Sequence, residues 1–192
     1  MIERAFPALL LGAALLAEAP APPAMAITRI EQGSRSVVLI PGLGCGGGVW
    51  DRTVEAMKGE ATFHVCTLAG FDGQPPLPAP QKLIPAAVEA LAAYIEKEKL
   101  QKVLVVGHSL GGFVAMKLAQ TYPERVNGLV IVDAYTTLEA AKAQALATGK
   151  TSFAAMPTAE LVLVENSRHF IMADQPAVWL AALRDALRQS QV

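Results

Sequence analysis

The chain has 192 residues, 53% of them hydrophobic and 17% charged, which allows about one globular domain with a sizeable core and excludes a disordered or highly charged chain. A formal net charge of −1 leaves no basic surplus to neutralise phosphates, so nucleic acid is not an expected partner. Two cysteines exclude a disulfide-framework miniprotein and a zinc site built on cysteines.

The first 26 residues read as an export leader. Arg4 gives a positive start, Ala5–Ala17 is apolar with Leu9, Leu10 and Leu11 in a row, and Ala24-Met25-Ala26 fits small-x-small cleavage. A buried N-terminal helix is the alternative, but Pro20, Pro22 and Pro23 would break it at once. The apolar run is too short for a permanent bilayer span, and no cysteine follows it to carry a lipid. The expectation is a signal peptide over 1–26 and a folded domain over 27–192. The mature chain would start at Ile27 and lie in the periplasm or outside the cell, without a stable membrane anchor.

Strands are expected at Ser36–Pro41 and Thr62–Leu68, short β-branched runs bounded by Gly or Pro. Lys102–Gly107 and Gly128–Asp133 are nearly continuous Val/Leu/Ile runs, the pattern of strands covered on both faces, and Ala159–Glu165 is similar. Val88, Leu91, Ala92 and Ile95 share a helical face after Pro85, and Trp179, Leu183, Ala186 and Leu187 do so after Pro176. Gln74–Pro80 carries four prolines and reads as an irregular loop. Strands alternating with helices predict an α/β fold: a mostly parallel, doubly wound sheet with helices on both faces.

Gly107-His108-Ser109-Leu110-Gly111 fits G-x-S-x-G and sits in the context such a motif needs, with a buried strand before it and a helix, Phe113–Gln120, after it. A tight strand-to-helix turn lifts the Ser109 hydroxyl above the sheet edge, at the positive end of the helix. The competing interpretation, an ordinary Gly-rich turn, explains neither the strand nor the helix. His108 lies beside the elbow, so its side chain is expected to pack or hydrogen-bond locally. Pro41-Gly42-Leu43-Gly44, directly after a strand, is a second glycine loop. It lacks the Lys-Ser/Thr ending of a P-loop and the G-x-G-x-x-G dinucleotide spacing. An oxyanion hole made from the amides of Leu43 and Leu110 fits it better. His169 follows the last apolar strand, where α/β ligand sites gather, and completes the chain order of nucleophile then His. His64 lies inside a strand and is expected to be structural.

These features resemble the α/β-hydrolase superfamily. The resemblance rests on Pro41–Gly48, Gly107–Gly112, Pro123-Glu124-Arg125-Val126, and Arg168-His169-Phe170 with Asp174-Gln175-Pro176. It implies Ser109 as nucleophile, His169 as general base, Leu43 and Leu110 as oxyanion donors, and no metal or organic cofactor. The chain departs from the family where a cap and one further core strand usually precede the final His. Only Ala134–Thr158 lies there, with one helix expected over Leu138–Ala147. A minimal, lidless member is therefore expected.

Three carboxylates could orient His169. Asp174 precedes Pro176 at a helix start and is expected to cap it. Glu165 lies within the last strand, too close in sequence to fold back. Asp133 ends a strand on the active-site edge, and some relatives place their acid there. It is the expected acid, with a Ser-His dyad as the alternative. Cys45 and Cys66 would share one sheet edge, and both a disulfide and two free thiols stay open. The leading expectation is a serine hydrolase acting on small-molecule carboxylic esters through an acyl-enzyme. C–C bond hydrolysis or perhydrolysis would use the same residues. A catalytically silent binding module is the reading from another class. An Asp nucleophile, needed for haloalkane dehalogenation, is absent at Ser109.

Overall fold

The computed structural model of the chain describes residues 22–31, 33–134, 162 and 164–190. Five strands form one sheet: β1 (Met25–Ile30), β2 (Ser36–Ile40), β3 (Thr62–Leu68), β4 (Leu104–His108) and β5 (Gly128–Val132). Their order is β1-β3-β2-β4-β5, with β1 antiparallel to β3 and every other pair parallel. Helices α1 (Asp51–Ala56), α2 (Leu83–Lys97) and α3 (Leu110–Thr121) make the crossovers; α4 (Ile171–Asp174) and α5 (Pro176–Gln189) follow near the end. This is the α/β architecture that the alternating pattern predicts.

Strand pleating divides the core in two. Val38 and Ile40 of β2 join Val105 of β4 under α2 and α3, whose buried residues include Val88, Leu91, Ile95, Val114 and Leu118. Val37 and Leu39 point the other way, onto Trp50, Met57, Phe63, Trp179, Leu183 and Leu187. Both faces of the parallel strands are thus covered, which is why those strands lack polar alternation. In α5, Trp179, Leu183 and Leu187 recur every fourth residue and are all buried. Each contributes about 1.5–3 kcal/mol by burial. Pro176 stands at the first position of α5, where its missing N–H costs no helical bond.

Two elements differ from expectation. β1 has no strong periodic signature and was not expected as a strand. It is held by pairing with β3 from Met25↔Leu68 to Ile30↔Phe63, and the Ala69 amide donates to the Ala24 carbonyl at 2.9 Å. The expected cleavage point between Ala26 and Ile27 therefore falls inside a strand. The strand expected over Ala159–Glu165 and the helix expected over Leu138–Ala147 lie outside the described residues, apart from Val162, Val164 and Glu165. Those three belong to no strand, and Glu165 instead enters a turn with Asn166, whose φ is 55°.

Candidate active site

The site forms where β4 and β5 end. Register pairs His108 with Val132, the last residues of β4 and β5, which sets Ser109 and Asp133, the residue after each strand, side by side. The Ser109 amide donates to the Val132 carbonyl at 2.9 Å and locks this placement. Ser109 is held at φ 49°, ψ −116°, a strained turn between β4 and α3. The glycines of the motif are required by close approach. A Cβ on Gly107 would collide with the Gly111 carbonyl, and one on Gly111 with the carbonyl oxygens of Ile40 and Pro41. The turn is therefore tight enough to present Ser109 outward at the start of a 12-residue helix.

The Pro41–Gly44 loop lies against this turn. A Cβ on Gly42 would sit 2.8 Å from His108 Nδ1 and 3.2 Å from Ser109 Cβ. Gly44 has φ 73°, and the Cys45 amide donates to the Gly42 carbonyl at 3.2 Å, so the chain turns back sharply here. The Leu43 amide donates to no acceptor among the described residues. The Leu110 amide begins α3 and has no partner within the helix. Two amides beside one serine are thus available to an oxyanion. The Leu43 side chain is largely exposed.

His169 is brought in from 36 residues beyond Asp133. Its Nδ1 donates to Asp133 Oδ2 at 2.7 Å, which leaves Nε2 as the ring's acceptor. Asp133 is itself strained, at φ 43°. The Ser109 hydroxyl makes no hydrogen bond among the described residues; catalytic hydrogen bonds in ligand-free sites commonly tighten only on binding. Chemically, the group set comprises a serine on a strained turn, an imidazole oriented by a carboxylate, and two amide donors. That set is competent for acyl transfer.

Two expectations need correction. Asp174 does not cap α5: no side-chain cap bond is present, and Asp174 is the last residue of α4. The short turn of α4 directs its carboxylate back, so Oδ2 accepts the Arg168 amide at 2.7 Å and pins the loop that carries His169. Gln175 adds a second tie, its Nε2 donating to the Asn166 carbonyl at 3.0 Å. Nor is the His108 bond local. Its Nε2 donates to the carbonyl of His169, 61 residues away, at 2.8 Å. Burial lowers the His108 pKa and keeps the ring neutral. Nothing in the one-dimensional pattern marks either role.

Elsewhere, His64 is fully buried in β3, with Nδ1 2.9 Å from the Tyr94 hydroxyl, and burial depresses its pKa to about 4. Cys45 and Cys66 are free thiols, and burial pushes Cys66 up to about 12. Among the described residues, no three His, Cys, Asp or Glu side chains converge as a metal site requires, and no helix is long and apolar enough to cross a membrane.

The alpha/beta hydrolase fold family matches residues 35–149. The (lyso)-N-acylphosphatidylethanolamine lipase of Homo sapiens is 32% identical over 107 residues, covering 54% of this chain and 31% of that protein. The pimeloyl-acyl-carrier-protein methyl ester esterase of Citrobacter koseri is 35% identical over 101 residues, covering 53% of this chain and 37% of that one. The chain thus spans about a third of the length of these curated relatives. The crystal structure of a predicted CIB-like hydrolase from Thermoplasma acidophilum superposes with a TM-score of 0.66 at 17% identity, over 88% of this chain and 96% of that one. At that identity the likeness concerns the fold. The family match covers more than half of the chain and takes in the elbow, the glycine loop and the four strands β2 to β5: this protein belongs to the alpha/beta hydrolase family.

Proposed function

We propose that the chain is a serine hydrolase that cleaves carboxylic esters. The observation that carries this reading is the Asp133–His169 hydrogen bond of 2.7 Å beside the strained Ser109 turn. His169 Nε2 takes the Ser109 proton as Oγ attacks the ester carbonyl. The amides of Leu43 and Leu110 hold the developing oxyanion, and each such donor is worth about two to three decades in turnover. His169 then protonates the departing alcohol, leaving an acyl group on Ser109. Water, deprotonated by the same imidazole, attacks that acyl group and releases the acid. Asp133 keeps the imidazole in the Nδ1–H tautomer and stabilises its charged form without itself taking the proton. No step calls on a metal or organic cofactor. The names of the esterase and the lipase support an ester as substrate. Exposed Leu43, Phe113 and Phe170, near Ser109 in sequence or fold, suit a small-molecule ester with an apolar acyl part.

Labelling by a fluorophosphonate and hydrolysis of a p-nitrophenyl ester series test the reading together. Wild type should label on Ser109 and turn over, and Ser109→Ala should lose both while its circular dichroism is unchanged. A folded wild type that neither labels nor hydrolyses would instead be a silent binding module.

Export is part of the same proposal, supported by the apolar Ala5–Ala17 run and the Ala24-Met25-Ala26 pattern. Intact mass of the secreted protein identifies its first residue. A start at Ile27 would remove Met25 from its pairing with Leu68, whereas an upstream start keeps β1 whole. Recovery with residues 1–26 intact would defeat the export proposal.

A further inference from the structure

His108 is the last residue of β4 and is fully buried. Its Nε2 faces the His169 carbonyl, which only accepts, so the ring is the Nε2–H tautomer. Nδ1 is then a buried acceptor, and it has no hydrogen-bond partner. A Cβ on Gly42 would stand only 2.8 Å from this nitrogen, so the Pro41–Gly44 loop passes close to it. An unpaired buried acceptor is destabilising, and a leucine or phenylalanine would fill this part of the core without leaving one. What the imidazole supplies, and those side chains do not, is the donor aimed at His169.

The contact is more than a single bond. The rings of His108 and His169 lie 4.5 Å apart between centroids, and the Phe170 ring is 5.0 Å from His108. The His169 backbone is thus held by His108, its Nδ1 by Asp133, and the preceding amide by Asp174. Those three ties determine where His169 Nε2 points. We propose that His108 is a positioning residue: its Nε2–H holds the His169 backbone so that the His169 ring stays on Asp133 with Nε2 turned to Ser109. The proposal deepens the serine-hydrolase reading and rests on it. A neutral His108 is suited to the task, because a second cation beside His169 would oppose the imidazolium formed when His169 takes the serine proton.

The test compares His108→Leu, which removes the donor, with His108→Gln, whose amide can donate to the same carbonyl. Both are first checked for folding by circular dichroism and thermal melting. For His108→Leu, kcat should fall about a hundredfold, the effect of roughly 1 Å of misplacement, with KM within about threefold. His108→Gln should recover most of the loss. Equal losses in both variants, or a His108→Leu enzyme with wild-type kcat, would overturn the proposal. If His108→Leu does not fold, His108→Asn replaces it; its shorter amide does not reach the carbonyl, and activity equal to that of the Gln variant overturns the idea.

A readout without turnover separates this proposal from the reading beneath it. The His169 Nδ1–H proton, hydrogen-bonded to Asp133 Oδ2, should give a downfield NMR signal in wild type and in His108→Gln. It should broaden or vanish in His108→Leu. A signal that persists in all three overturns the positioning role whether or not the protein hydrolyses esters. Absence of fluorophosphonate labelling in wild type defeats only the serine-hydrolase reading.

Discussion

The elbow and the His169 loop meet at one site but are held in place differently. The elbow is a local construction: β4, one strained serine and α3 are contiguous, and glycines at 107 and 111 let backbone pass backbone. The loop from Glu165 to Phe170 contains no helix or strand. It is held by side chains from elsewhere: Asp133 on its imidazole, His108 on its carbonyl, Asp174 and Gln175 on its backbone. A locally built element fails by steric collision, whereas one tied from a distance fails bond by bond. The two regions should therefore respond differently to substitution.

The largest expected effect is at the link between them. Asp133→Asn keeps the side-chain shape but removes the charge and favours the wrong imidazole tautomer. Turnover should fall by about four decades with little change in melting temperature. A loss below tenfold would mean that Ser109 and His169 act as a dyad.

Next comes the elbow itself. Gly111→Ala drives a methyl group into the carbonyl oxygens of Ile40 and Pro41. Overpacking of this kind costs about 1–3 kcal/mol, read by urea denaturation. Activity should fall about a hundredfold as the turn and the oxyanion loop shift apart. A loss of activity with no loss of stability would break the argument that the elbow fails by collision.

A graded response is expected in the loop. Asp174→Ala removes the acceptor for the Arg168 amide and should lower kcat about tenfold, the low end of what a supporting partner contributes. Asp174→Asn retains an acceptor oxygen and should stay within about twofold. If the Asn variant loses as much as the Ala variant, charge rather than the hydrogen bond is what the loop uses there.

The smallest effect on activity should come from the buried group outside both regions. His64 titrates near 4 when folded and near its ordinary value of 6.5 when unfolded, so the unfolded chain takes up its proton first as pH falls. Its contribution is fully present above pH 6.5 and is lost progressively between pH 6.5 and about 4. That amounts to about 2 kcal/mol after allowing for relaxation around the ring. His64→Gln should flatten the dependence of urea stability on pH over that window, while leaving kcat at neutral pH unchanged. An unaltered slope would assign acid sensitivity to other groups.

Pattern alone made the elbow, the glycine loop, the four strands β2 to β5 and the two long apolar helices legible, because each depends on neighbours within a few residues. A buried parallel strand needs an unbroken apolar run, α5 needs its residues on one face, and a strained turn packed against backbone needs glycine. The choice of Asp133 among three carboxylates was narrowed by sequence but made by register, since only the β4–β5 alignment sets the residue after Val132 beside the residue after His108. β1, the tie from Asp174 to Arg168 and the reach of His108 to His169 were illegible for one reason. Each is a hydrogen bond between residues distant in sequence, or with no periodic signature of their own, and such bonds exist only once the sheet has brought the partners together. Sequence by itself therefore determined the chemistry available and the strand–turn–helix that presents Ser109. The tertiary structure alone decided which groups hold His169, because that loop has no internal framework and takes its geometry from its partners.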